Sequence, residues 1–148
     1  MRGSGRALNL DGLRRLVRHK MVLLLVGGAA GTLLRYWVGV WIGQHPWAQL
    51  FPPLGTLVIN VTGSFILGAA AVLILEWLPP EHQDWYLLVG TGFCGGYTTF
   101  STFGWETYKL VRDGSWWLAL ANVAGSVIAG FLAVVLAVTL VGLVLPKR

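Results

Sequence analysis

Charge is what this chain has least of. Of its 148 residues only 11% are Asp, Glu, Lys or Arg, against about a quarter in soluble globular domains. Hydrophobic residues make up 55% and mean hydropathy is +0.67. That balance describes a membrane protein and leaves no soluble domain large enough for an enzyme. Cysteine is nearly missing, and the single Cys94 excludes an intrachain disulfide and a cysteine metal cluster. Acidic residues are absent from the apolar stretches except for Glu106, and His19, His45 and His82 fall in tails or loops. No catalytic constellation therefore lies at membrane depth. The net charge of +5 comes mostly from the first twenty residues. Basic side chains at a membrane edge are not a nucleic-acid footprint, so nucleic acid is excluded as a partner.

What is present is apolar length. Weakly charged runs extend from Met21 through Arg35 to Gly43, from Leu54 to Leu75, from Trp85 to Trp105 and from Ser115 to Leu145. Each reaches the ~20 residues that cross hydrocarbon. The expectation is an all-α membrane protein of four transmembrane helices, with residues 21–146 as one domain. Residues 1–20 form a basic tail containing Arg2, Arg6, Arg14, Arg15, Arg18 and Lys20. The tail reads either as a positive-inside anchor or as a leader from an early start ahead of Met21. Without it, Lys147 and Arg148 on one side balance Lys109 and Arg112 on the other. Two against two gives no orientation signal. Insertion both ways, and an antiparallel dimer, then become accessible.

Three helices carry stripes at four-residue spacing. The first has Gly27, Gly31, Arg35, Gly39 and Gly43, a small-residue face that lets another backbone approach. Arg35 within that face marks a pathway or a structural anchor, or snorkels to the interface. The second has Thr56, Asn60, Ser64 and Gly68 after Pro52-Pro53. Asn60 there is either an interhelical clamp or part of a polar track. The last has Asn122, Ser126 and Gly130. Trp77, Trp85, Trp116 and Trp117 read as interfacial anchors.

The third span is different. From Gly92 it runs Gly-Phe-Cys-Gly-Gly-Tyr-Thr-Thr-Phe-Ser-Thr-Phe to Phe103. Paired glycines beside paired threonines are poor helix material. A break at membrane depth must have its backbone groups satisfied by protein or by a wet cavity. The sequence therefore predicts a broken third helix and a functional site at the break.

These motifs carry a resemblance. Gly27-Gly28-Ala29-Ala30-Gly31-Thr32-Leu33-Leu34-Arg35-Tyr36, Gly55-Thr56-Leu57-Val58-Ile59-Asn60-Val61-Thr62-Gly63-Ser64-Phe65, and Gly92 to Phe103 with Glu106-Thr107 resemble the Fluc fluoride channels, also called CrcB proteins. The likeness runs in order from Met21 to about Gly142. It implies a dual-topology antiparallel homodimer with two fluoride pores in the bacterial inner membrane. It also implies a structural sodium ion at the dimer centre, held by the backbone carbonyls of Gly95 and Thr98. Phe100 and Phe103 then face the fluoride pathway with Asn60, and Ser101, Thr102, Glu106 and Ser126 supply its polar track. Some members carry tyrosine or serine where this chain has Asn122 and Gly130, which leaves the outer track open.

The chemistry agrees with that implication. Fluoride is small and strongly hydrated, so a pore must replace its water with dense donors. Asparagine N–H groups, hydroxyls and Arg35 are suitable types. Phenylalanine edges carry the positive part of the ring quadrupole. A hard cation takes oxygen ligands, which a helix break provides as carbonyls. The main rival is a small four-helix multidrug/proton antiporter, which needs a titratable carboxylate in its first helix, where this chain has Arg35 and no acid. A purely structural subunit would explain the glycine ladders but not the broken helix. The expected function is passive export of fluoride through a membrane channel.

Overall fold

A computed structural model of the chain describes residues 10–145. Arg2 and Arg6 of the basic tail, and Lys147 and Arg148, lie outside the described residues. Helix α1 covers Leu10–Gly43. At 1.5 Å per residue its 34 residues extend about 50 Å. It passes through residue 20 without a break, so no helix boundary separates tail from span. After a short 3₁₀ turn at Pro46–Leu50, α2 covers Leu54–Ala70 and widens into a π-helical segment at Ala71–Trp77. Helix α3 begins π-helical at Leu87–Cys94 and ends with Gly95–Tyr97. Helix α4 is Phe100–Arg112 and α5 is Trp116–Val144.

Three of the expected spans are unbroken and long and apolar enough to cross a membrane: Leu16–Gly43, Leu54–Trp77 and Trp116–Val144. The fourth is the composite of α3 and α4. The chain is a multi-pass membrane protein. Gly114, with φ of 77°, ends α4 in the left-handed conformation that glycine adopts without steric cost and turns the chain into α5.

The packing pairs α1 with α3 and α2 with α5. Small residues make both contacts close. A Cβ on Gly27 or Gly31 would strike the carbonyls of Leu88 and Phe93, and one on Gly96 would strike the Gly28 backbone. Across the other pair, a Cβ on Gly68 would meet the Val134 carbonyl at 3.1 Å, beside buried Ala133 and Ala137. Lipid is as apolar as leucine, so close backbone approach and polar contacts hold such helices together. The large side chains mostly point outward, with Trp117 and Phe100 each 83% exposed.

The glycine ladder of α1 is therefore two things. Its first half, Gly27 and Gly31, is an intrachain packing face for α3. Its second half is open: Gly39 has only Ile59 nearby and Gly43 has nothing within 4 Å.

Candidate functional site

The break falls inside the predicted stretch, on the threonines rather than the glycines. Gly95 and Gly96 remain helical, while Thr98 (ψ 160°) and Thr99 (φ −151°, ψ 115°) are extended. The threonines carry their own replacement bonds. Thr98 directs both its N–H and its hydroxyl to the Cys94 carbonyl, each at 2.9 Å, closing α3. Thr99 caps α4, its hydroxyl accepting from the Thr102 N–H at 3.2 Å and donating to the Thr102 hydroxyl at 3.0 Å. Hydroxyl residues favour such N-caps because the side chain replaces the missing backbone acceptor. The glycines serve a different end, the close approach of α3 to α1.

Two side chains from other helices complete the junction. The Asn60 amide holds Thr99 by both backbone groups: Nδ2 donates to the Thr99 carbonyl at 3.1 Å, and Oδ1 accepts from the Thr99 N–H at 2.8 Å. Arg35 donates to the Thr98 carbonyl at 3.1 Å. A cation beside the last carbonyls of a helix also meets the negative end of its dipole. Thr32 reaches the Gly96 carbonyl at 3.4 Å. Because Thr99 N–H is turned to Asn60, the Gly95 carbonyl loses the partner that a continuing helix would provide. Gly95 itself is exposed, with open space around it.

Two grooves adjoin along α2 at this junction. The first, about 580 Å³, lies between α2, α3 and α5 and is lined by Asn60, Ser64, Gly95, Thr98, Phe100, Phe103 and Ser126, among others. The Phe100 and Phe103 rings lie there with centroids 5.4 Å apart. The second, about 500 Å³, follows the previous turn of α2 and is lined by Thr56 and Ile59, with Thr102 and Glu106 of α4 and the Ala48–Pro52 loop. The Glu106 Oε2 atom is buried there without a hydrogen-bond partner. The polar stripe of α2 thus runs through both grooves, and the Asn60–Thr99 clamp sits where they meet.

Most of the sequence-selected residues are brought to this junction. Asn60, Gly95, Thr98, Phe100, Phe103 and Ser126 share the first groove, while Thr102 and Glu106 line the second. Ser101 lines neither and is exposed near Thr99, 3.3 Å between hydroxyls. Arg35 lines neither and holds the break from behind. Two residues were not singled out. Thr99 is the hinge of the junction, signalled by a threonine directly before a new helical run. Tyr86 lines the far end of the first groove, its ring packed over Gly90, where a Cβ would meet ring carbons at 2.5–2.8 Å. Tyrosine nine residues before the paired glycines gives no such signal in the sequence.

Comparisons with known proteins identify what the chain is similar to. Residues 22–138 match the family described as "CrcB-like protein, Camphor Resistance (CrcB)". A protein of Solibacter usitatus named "Fluoride-specific ion channel FluC" is 49% identical over 115 residues, spanning 78% of this chain and 92% of the relative. Proteins of the same name from Pyrococcus horikoshii and Pyrococcus furiosus are 38% and 40% identical over 128 and 130 residues, spanning 96% and 98% of those relatives.

Proposed function

Since the chain belongs to the CrcB-like family of membrane proteins, we propose that it is a fluoride channel, not an enzyme, that lets cytoplasmic fluoride leave down its electrochemical gradient. The observation that carries this reading is the pair of adjoining grooves along α2, which bring hydroxyls and phenylalanine rings to a helix break at membrane depth. Relatives covered over most of their length bear the name of fluoride-specific channels. Hydrogen fluoride crosses membranes neutral and dissociates in a less acidic cytoplasm, where the anion is trapped. An inside-negative potential then drives the anion out through a passive pore. The location that suits this task is the bacterial inner membrane.

In this reading fluoride exchanges its water for the donors of the first groove and the ring edges of Phe100 and Phe103. Asn60 serves the pathway by fixing the break, with both ends of its amide already engaged by Thr99. Thr102 and Glu106 line the continuation, Ser126 adds a hydroxyl to the first groove, and Ser101 stands beside the Thr99 hydroxyl at the break. Arg35 stabilises the break as a structural charge.

The active unit is an antiparallel homodimer, built from chains inserted both ways and surrounded by lipid. The exposed Phe100 is a surface that a second copy would cover. A structural sodium ion fits the donor set at its centre. The Gly95 carbonyl lacks the i+4 helical partner, because the Thr99 N–H is turned to Asn60, and the Thr98 carbonyl keeps one lone pair beside its bond from Arg35. Two such carbonyls per subunit become four about a two-fold axis, an oxygen set suited to a hard cation. The guanidinium beside Thr98 opposes the cation, so Gly95 is the stronger ligand. The ion would tie the two breaks together.

The decisive experiment is fluoride efflux from liposomes reconstituted with the full chain, read by a fluoride electrode. Rapid release on adding a potassium ionophore, with chloride retained, supports the channel. Release no faster than from empty liposomes overturns it. Efflux that requires a proton gradient favours the antiporter.

A further inference from the structure

We propose that Asn122 is a positioning residue that sets the Phe103 ring in the first groove, acting through Thr107. The inference rests on the channel reading for its consequence and on geometry for its substance.

Asn122 is an unusual residue for its place. Helix α5 buries Ala119, Ala133 and Ala137, all small and apolar, and Asn122 with them. Asn122 is 0% exposed and, with Pro53, is among the largest side chains fully enclosed. Its Nδ2 donates to the Thr107 hydroxyl at 2.8 Å, and that hydroxyl donates to the Phe103 carbonyl at 2.8 Å. A relay of two bonds therefore runs from α5 across α4 to the residue bearing the ring. The Asn122 Oδ1 has no partner. A buried, unpaired amide oxygen is destabilising, and leucine of similar size would fill the space without that cost. Packing alone does not explain an asparagine here; a directional bond does.

Helix α4 needs such a bond. It is 13 residues long, follows a break, and buries only Leu110. A Cβ on Gly104 or Gly125 would touch nothing within 4 Å, so these small residues do not interlock α4 with α5. Phe100 lies against the Phe103 ring but is itself 83% exposed, and gives no backstop. Apolar contact leaves the rotation of α4 about its axis poorly fixed. The Asn60–Thr99 clamp fixes its first turn, and the Asn122–Thr107 bond fixes its third. Thr107 lies one turn beyond Phe103 on the same face, so locking one aims the other.

The test uses the full chain with Asn122→Leu, Thr107→Val and Thr107→Ser. Three quantities are read: the thermal midpoint in detergent, fluoride efflux with the fluoride-to-chloride ratio in liposomes, and the ¹⁹F spectrum of 4-fluorophenylalanine placed at Phe103. Asn122→Leu should melt at or above the wild-type midpoint, because the orphaned oxygen is gone. Efflux should nevertheless fall about tenfold, the scale of one lost directional bond, with a lower selectivity ratio and a shifted ¹⁹F line. Thr107→Val should reproduce both transport and spectral changes, and combining it with Asn122→Leu should add little. Thr107→Ser, which keeps the hydroxyl, should behave as wild type. An unchanged ¹⁹F line and efflux in either Asn122→Leu or Thr107→Val overturns the proposal. So does an efflux loss that only tracks a lower midpoint, since that is a packing role. If wild-type liposomes release no fluoride, the channel reading falls, while the ¹⁹F line still decides whether Asn122 aims the ring.

Discussion

Replacing Asn60 by alanine should unlatch the break in the third span, and the size of the effect can be worked from its two bonds. The amide satisfies the Thr99 N–H and C=O together, at 2.8 and 3.1 Å. Alanine leaves both backbone groups unpaired. An unsatisfied buried group costs about 1–3 kcal/mol, so two would cost about 2–6 kcal/mol if fully enclosed. Thr99 is 7% exposed and a groove runs beside it, so water recovers part of the loss. The expectation is therefore the lower half of that range, about 2–4 kcal/mol. For a chain of this length each kcal/mol lowers the melting midpoint by about 2–4 °C on soluble-protein scaling, and the predicted fall is roughly 4–16 °C.

Two measurements check it. The thermal midpoint in detergent gives the total, and amide hydrogen exchange at Thr99 gives the place, since that N–H loses its only acceptor. Asn60→Asp separates donor from acceptor. One carboxylate oxygen still accepts from the Thr99 N–H, but the other faces the Thr99 carbonyl with no proton between them. It should therefore be at least as damaging as alanine to the Thr99 carbonyl, and it should slow fluoride efflux strongly by placing negative charge on the anion's route. A wild-type midpoint and unchanged Thr99 exchange in Asn60→Ala would refute the clamp. A lowered midpoint with undiminished efflux per folded protein would leave the clamp standing and remove Asn60 from the pathway.

How far the sequence reached is best seen in the third span. Its composition located the break to within a few residues, because Gly-Gly and Thr-Thr both disfavour helix. It did not say which pair breaks. The answer depends on tertiary partners: Gly96 stays helical where it closely approaches the Gly28 backbone of α1, while Asn60 and Arg35 take the backbone groups of the threonines. The four-residue stripe on α2 was legible for the same reason that it works, since one face of one helix is a local property. The roles along that stripe were not local. Whether Asn60 meets an ion or a backbone is decided by α4, which the stripe does not contain. Glu106 and Thr102 looked like members of one track with Ser126, yet they open into a different groove from it. Asn122 was visible as a polar residue in an apolar helix, but its partner is Thr107, fifteen residues away across a turn, and no spacing rule links them.

The remaining predictions probe packing, orientation and the central ion. Gly31→Ala and Gly96→Ala should each lower the melting midpoint steeply, because the new Cβ meets backbone that cannot move aside, whereas Gly43→Ala should be neutral. Deleting residues 2–20 should leave fluoride efflux intact and bring the two membrane orientations closer to even, as read by labelling of engineered cysteines from each side; a single orientation would count against dual insertion. Thr98→Ser should be mild, because it keeps the carbonyl and the hydroxyl bond to Cys94. Gly95→Val carries the sharpest contrast. Within one chain Gly95 is helical, exposed and free of neighbours within 4 Å, so a larger side chain meets no clash there. If the role of Gly95 ends inside the subunit, the valine variant should fold, assemble and conduct nearly as wild type. If its carbonyl holds an ion on a two-fold axis, the side chain intrudes where two copies converge, and dimer stability and efflux should fall together. Replacing sodium by a large organic cation should then weaken the wild-type dimer in the same way, and should do little more to the Gly95→Val protein. Full activity and assembly in rigorously sodium- and lithium-free solution would remove the ion from the account and leave the break to Asn60 and Arg35 alone.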